Sequence, residues 1–168
     1  GDIKSAGATV SNQWYMESWD PEWKEWDLND PKSIAPVLYV SYPSLKDPHH
    51  VAGPTQRHTG EIVTFVPWDA FDKWKDTRRG FRNEEYMRFK KDIEDRMLAQ
   101  FKTHAPGLAP LIKYHELSTP LSAVHFTGAP QGAIYGLEAT PERFLSPHIK
   151  TRTPVKNLYL AGGDVATL

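Results

Sequence analysis

No cysteine occurs in the 168 residues, which excludes disulfide frameworks, thiolate nucleophiles and Cys-ligated zinc together. No apolar run reaches membrane-spanning length, and no apolar N-terminal stretch has the form of a signal peptide. An excess of charge is missing too. Twenty Lys plus Arg stand against 21 Asp plus Glu, a formal net charge of −1, and that balance argues against a nucleic-acid partner bound by phosphate neutralisation. There is no G-x-S-x-G elbow for Ser/His/Asp catalysis and no pair of histidines at helical i,i+4 spacing, so neither a serine hydrolase nor a hydrolytic zinc site is expected. These absences fit a cytoplasmic protein, or a trimmed piece of one.

What is present is enough for one domain with a core, or a domain with an attached lobe. Hydrophobic residues make up 39% and aromatic residues 12%, above what a disordered chain carries. Fourteen Pro and six Trp point to a loop-rich surface. Residues 1–11 are small and polar and read as a linker or a severed strand. Trp14, Tyr15, Trp19, Trp23 and Trp26 then crowd together. Asp20 before Pro21 has the form of an N-cap with Pro at the first helical position, and Trp19, Trp23 and Trp26 would share one face of a short helix.

Residues 34–42 (IAPVLYVSY) and 61–66 (EIVTFV) read as strands of an antiparallel pair joined by a loop over 43–60. Pro36 suggests an edge position or a late onset. Residues 69–77 look helical. Asn83 caps the longest helix: Glu84 and Glu85 follow in its first turn, and Tyr86, Phe89, Ile93, Met97 and Phe101 form an apolar stripe. His104 and Pro106-Gly107 end it. A short strand is expected over 112–117, a helix start at Thr140-Pro141, and a final apolar strand over 157–161 (NLYLA) running into Gly162-Gly163-Asp164.

Each candidate has an ordinary counterpart. A strand followed by Gly-Gly-Asp permits close backbone approach to a ligand and an anion held by N–H groups; it also suits a simple turn. The glycines of 128–138 (GAPQGAIYGLE) permit approach of a flat ligand, or belong to a bulged strand or hairpin arm. His49, His50, His58, His115 and His125 read as solvated or hydrogen-bonded rather than metal-binding. The basic residues Arg78, Arg79, Arg82, Lys90 and Lys91 are offset by Glu84, Glu85, Asp92, Glu94 and Asp95, as on a solvated helix face. The tryptophans either stack on a ligand or pack a lobe.

Residues 40–48 (VSYPSLKDP), 61–68 (EIVTFVPW), 118–128 (STPLSAVHFTG), 132–144 (GAIYGLEATPERF) and 152–165 (RTPVKNLYLAGGDV) occur in an order that resembles the C-terminal half of FAD-dependent phytoene desaturase, carotenoid isomerase and retinol saturase-like oxidoreductases. The resemblance covers residues 37–168. It implies an α+β chain of the α/β flavoprotein family: a mixed, largely antiparallel sheet covered by helices, with a fragment of a Rossmann-type FAD domain at the C-terminus. The implied division is a substrate-binding domain over 1–130 and a partial, truncated FAD-binding domain over 131–168. Gly162, Gly163, Asp164 and Val165 match the flavin-contacting turn, with Asp164 near ribityl or pyrophosphate oxygens. Gly132, Tyr135 and Gly136 match the segment near the isoalloxazine ring. No residue matches a catalytic acid or base, since hydride chemistry belongs to the flavin.

The resemblance further implies FAD as cofactor of a longer parent, an apolar polyene or related lipid as substrate, and peripheral membrane contact of that parent. No G-x-G-x-x-G occurs, and the chain stops at Leu168 where a helix would begin. The expectation is therefore a fragment, inactive alone, that does not hold FAD tightly. A second reading is a non-enzymatic, Trp-rich binding module for an apolar or carbohydrate ligand.

Overall fold

The computed structural model describes residues 2–20 and 25–165. It divides into two compact units, Gly1–Leu117 and Ser118–Leu168.

In the N-terminal unit, strands β1 (Gln13–Met16) and β2 (Val37–Ser41) are followed by a single helical turn, α1 (Pro43–Lys46), and strand β3 (Glu61–Val63). The sheet is antiparallel in the order β1-β2-β3, with Gln13 opposite Val40, Met16 opposite Val37, and Tyr39 opposite Val63. Pairing of the two expected strands is observed, with β2 central rather than at an edge. Val37, Leu38, Val40 and Ser41 are all buried, as a strand covered on both faces requires. Pro36 lies just outside the ladder, where its missing N–H costs nothing; its carbonyl accepts from Glu17 N–H at 3.1 Å. β1 was not expected as a strand. Its burial alternates, but only four residues carry the pattern.

The helical stretch expected over 69–77 is a 3-10 helix over Asp69–Trp74, with Phe71 and Trp74 buried. Helix α2 (Glu84–His104) then runs the length its apolar stripe demands. Asn83 caps it: its Oδ1 accepts from Tyr86 N–H at 3.0 Å and from Trp74 Nε1 at 3.2 Å. One side chain thus starts the helix and fastens the preceding turn to it. Trp74 stacks on Phe89, and Phe71 meets the same ring edge-on. Tyr86, Ile93, Met97 and Phe101 are buried; each contributes roughly 1.5–3 kcal/mol of burial.

Two polar residues of α2 bind the segment leading into β2. Gln100, itself buried, accepts from Ala35 N–H at 3.0 Å and donates to Ala35 C=O at 2.8 Å and to Glu17 at 2.7 Å. Arg96 donates to the carbonyls of Leu28 (3.1 Å), Asp30 (3.0 Å) and Ser33 (3.3 Å), pairs with Asp92 at 2.8 Å, and covers the Trp26 ring.

A 3-10 turn, Ala109–Leu111, follows α2. The expected strand 112–117 is not formed, a correction with a local cause. Lys113, Tyr114, His115 and Glu116 are exposed, and Tyr114 and His115 spend their polar groups on the side chains of Glu116 and Glu94. No second apolar face remains to pay for pairing with the sheet.

The expected Trp-bearing helix lies partly outside the described residues, as Trp23 does. Of its other members, Trp19 is 99% exposed and Trp26 only 1%, so these two do not share a face.

The C-terminal unit holds α3 (Pro120–Thr127), a 3-10 turn Pro130–Gly132, α4 (Pro141–Leu145) and a 3-10 turn Pro147–Ile149. In α3, Thr119 and Ser122 form a reciprocal capping box and Gly128 closes the helix in the left-handed region. α4 begins as expected, with Thr140 accepting from Arg143 N–H. The strand expected over 157–161 is reduced to a bridge between Arg152 and Tyr159, because Asn157 at φ 65° takes the chain out of extended geometry at the strand's start. The fold class is α+β, as expected. Among the described residues no helix is long and apolar enough to cross a membrane.

Replacing Gln100 with Leu leaves the Ala35 amide and carbonyl buried and unpaired, and the urea unfolding midpoint should fall by the equivalent of about 2–4 kcal/mol; a loss below about 0.5 kcal/mol would contradict the clamp. Acid should act through Glu17. Burial alone would raise its pKa, but hydrogen bonds from His104 and Gln100 and the His104 charge hold it below the usual 4.5. Its contribution is therefore complete above about pH 4.5 and is lost as the pH falls through the lower, folded-state value. Unfolding curves at descending pH should show this loss in the wild-type chain and a smaller one in Glu17→Gln.

Candidate functional site

The Gly-Gly-Asp turn and the Gly136 segment, noted separately in the sequence, meet in the C-terminal unit. The Asp164 carboxylate accepts from the Leu137 N–H at 2.5 Å. A Cβ on Gly136 would overlap that carboxylate, so glycine here leaves room for the Asp164 side chain to reach the Leu137 N–H. Arg143 closes the arrangement from α4, donating to the carbonyls of Leu137 and, at 2.6 Å, of Gly163. Charge-assisted bonds of this kind are stronger than neutral ones, and a guanidinium forks naturally between two carbonyls. Sequence reasoning missed Arg143. Its one signal was its place three residues after the N-cap Thr140, which aims the first turn of α4 at the loop behind it.

The other expected residues occupy different surroundings. Gly162 has φ 116° and Gly163 follows it, with nothing within 4 Å of a Cβ on either; their outer side is open. Val165 N–H closes the turn onto Gly162 C=O at 3.2 Å. Gly132 backs onto Pro120 at the start of α3, and Tyr135 is exposed. Gly136 thus joins the Gly162–Asp164 turn directly, while Gly132 is fixed to α3. The stretch 128–138 is neither a bulged strand nor a hairpin arm, being a 3-10 turn followed by irregular chain.

The N-terminal unit contains a separate open cleft of about 1230 Å³. One wall is the face of α2 that carries Glu94, Met97, Leu98 and Phe101; Val40, Tyr42 and Ile62 of the sheet region and Leu108, Leu111, Ile112 and Leu117 supply further apolar surface. The Tyr42 hydroxyl is buried without a hydrogen-bond partner. Burial, with a smaller effect of Tyr15, pushes its pKa up to about 12, so it stays a neutral phenol across the physiological range. His58 Nδ1 lies 3.0 Å from Ser44 Oγ, and His115 Nδ1 lies 2.7 Å from Glu94 Oε1. Among the described residues no group of three His, Cys, Asp or Glu side chains is arranged to hold a metal ion. The cleft was not legible in the sequence, because its walls come from segments far apart in the chain.

The Asp164–Leu137 latch makes a contrast that hydrogen exchange can read. Gly136→Ala should speed exchange of the Leu137 amide by about tenfold or more, since the added methyl expels the carboxylate; Gly163→Ala, in open space, should leave it unchanged. Equal protection in both variants would show that the latch does not hold the loop.

No family model matches the chain, and no solved structure matches it. Curated proteins do. The chain is similar to all-trans-retinol 13,14-reductase of Danio rerio, at 32% identity over 133 residues, 77% of this chain and 22% of the relative. It is similar to the protein of that name from Rattus norvegicus, at 27% over 136 residues, 79% of this chain and 22% of the relative. It is also 30% identical over 144 residues to the inactive all-trans-retinol 13,14-reductase of Danio rerio, covering 84% of this chain and 24% of that protein. The chain thus spans 22–24% of the length of these relatives.

Proposed function

We propose that these residues serve an FAD-dependent oxidoreductase of the retinol saturase-like kind, acting on C–C bonds of an apolar polyene by hydride transfer to or from the flavin. Saturation, desaturation and flavin-assisted isomerisation all fall within that chemistry; the relatives' printed names, as reductases, favour saturation. The observation that carries the proposal is the convergence of Gly136-Leu137 and Gly163-Asp164 under one carboxylate and one guanidinium. The two segments that the flavoprotein resemblance assigns to the cofactor were read independently from the sequence, and they are neighbours in space.

The residues suit such a group. Gly162 and Gly163 leave open space on their outer side, which permits backbone approach to a phosphate or ribityl chain. Asp164 is a positioning residue in the first instance, because its Oδ1 is committed to the Leu137 N–H. Val165 closes the turn, and Tyr135 and Gly132 flank the segment assigned to the ring side. The flavin, when bound, would supply the site that accepts or donates hydride. What this chain contributes is geometry: a turn that places backbone N–H groups, a loop pinned against it, and in the N-terminal unit an open cleft with apolar surface for a polyene to lie against.

In domain terms we assign substrate binding to residues 1–130 and a part of the flavin-binding domain to 131–168, with peripheral membrane contact serving a membrane-soluble substrate. The inactive relative shows that likeness of sequence at this level does not by itself carry activity, so the test is spectroscopic first. A parent protein of the relatives' length, purified under mild conditions, should carry a flavin absorbance band and consume a conjugated polyene alcohol when supplied with reductant. In that parent, Asp164→Ala should lower flavin occupancy by about tenfold. A parent without flavin, or with flavin unaffected by Asp164→Ala and Gly163→Trp, would overturn the assignment. The 168-residue chain by itself, which has no G-x-G-x-x-G, should purify without a stoichiometric flavin band.

A further inference from the structure

The loop between α1 and β3 brings together two histidines that the proposed function does not use. His50 and His58 lie with ring centroids 5.0 Å apart and planes tilted by 35°. The chain on either side of them is held locally. His50 N–H donates to Asp47 C=O at 3.2 Å. Beyond it the loop is tied across itself: Val51 N–H donates to the Gln56 side chain at 3.3 Å, and Gly53 N–H to Gln56 C=O at 2.9 Å. Ser44, buried in α1, fixes His58. Its Oγ accepts from Thr59 N–H at 3.1 Å and donates to Thr59 C=O at 3.4 Å. The hydroxyl proton is then engaged, so the 3.0 Å contact with His58 Nδ1 is an Nδ1–H donating to the serine. That tautomer leaves the lone pair of His58 on Nε2. At His50 the Nε2 is buried without a hydrogen-bond partner, a state that costs free energy unless an ion or a water meets it.

We propose that His50 and His58 form a two-imidazole site for a divalent transition-metal ion of the Zn²⁺ or Cu²⁺ class. Imidazole nitrogen suits these ions, whereas Mg²⁺ and Ca²⁺ take oxygen ligands. The spacing fits. A metal–nitrogen bond of about 2.0–2.1 Å sets each ring centre about 3.2 Å from the ion, and a tetrahedral angle between two such ligands puts the centres about 5 Å apart. Ser44 then acts as a positioning residue, holding His58 by Nδ1 so that Nε2 faces the ion. Among the described residues no third His, Cys, Asp or Glu joins the pair, so water completes the coordination and the ion exchanges. His58 lines the open cleft together with Gly53, Pro54 and Gln56 of the same loop, which gives an ion a path in. Once bound, the ion bridges residues 50 and 58, closes the loop between them and stiffens that wall of the cleft. The site is independent of the flavin reading, since neither histidine belongs to the segments assigned to the cofactor.

The test titrates the 168-residue chain with zinc chloride alone, in a buffer that does not bind zinc, and reads the heat. The wild type should take up one equivalent with a midpoint below about 100 μM. His50→Ala and His58→Ala should each weaken binding by about tenfold or more, and Ser44→Ala, which removes no ligand, by about tenfold through loss of ring orientation. His49→Ala, at an exposed neighbouring position, should leave the affinity unchanged. Cu²⁺ should bind more tightly than Zn²⁺, and Mg²⁺ in about hundredfold excess should not compete. Absence of saturation below about 100 μM in the wild type would overturn the site. So would wild-type affinity in a folded His50→Ala or His58→Ala, or a loss in His49→Ala as large as in either. If the His50 or His58 variants do not fold, the imidazole resonances of the wild type decide. Zinc should shift those of both His50 and His58; shifts that spare either one place the ion elsewhere and overturn the proposal.

Discussion

The carboxamide of Gln100 sits among buried apolar side chains and still satisfies all it must: it exchanges two hydrogen bonds with the backbone of Ala35 and gives a third to Glu17. Ala35 is fully buried, and its amide has no ladder to join, because Pro36 interrupts the approach to β2. A backbone group in that position costs as much as a lost hydrogen bond unless a side chain takes it. Gln100 does so from α2, and thereby sets the height of the helix against the sheet. Arg96, one turn earlier, repeats the device on the carbonyls of Leu28, Asp30 and Ser33. The face of α2 that forms the cleft wall is placed by these two side chains on its other flank.

The same economy governs the C-terminal unit at smaller scale. Among its described residues it has no sheet, only short helices, turns and one bridge. Its irregular backbone must then be tied by side chains, and Asp164 and Arg143 do this where 136–137 meets 163–164. A latch built from a carboxylate and a guanidinium on exposed chain brings together two glycine-bearing segments without burying them.

The regular elements were legible where one residue type or one period decided the matter. The stripe from Tyr86 to Phe101 and the cap at Asn83 marked α2, and the β-branched, aromatic run at 37–41 marked β2. The expected strands at 112–117 and 157–161 failed for different reasons. The first had no second apolar face, and its tyrosine and histidine were drawn to Glu116 and Glu94. The second was broken at its start by Asn157 in the left-handed region. Local propensity reports neither event, since one depends on partners across space and the other on how the preceding turn closes.

Of the candidate site, the sequence by itself determined the ingredients: glycines at 136, 162 and 163, an aspartate at 164, a long amphipathic helix, and the ordered motifs that resemble a flavoprotein. Those are properties of composition and spacing, fixed along the chain by backbone freedom and side-chain period. Tertiary structure alone decided that Asp164 reaches Leu137, that Arg143 spans both loops, and that Glu94 and His115 meet at an open cleft. Each of these pairs is separated by many residues, and its meeting depends on the closing of intervening chain against a packed face, a long-range balance of entropy and burial that no local pattern encodes.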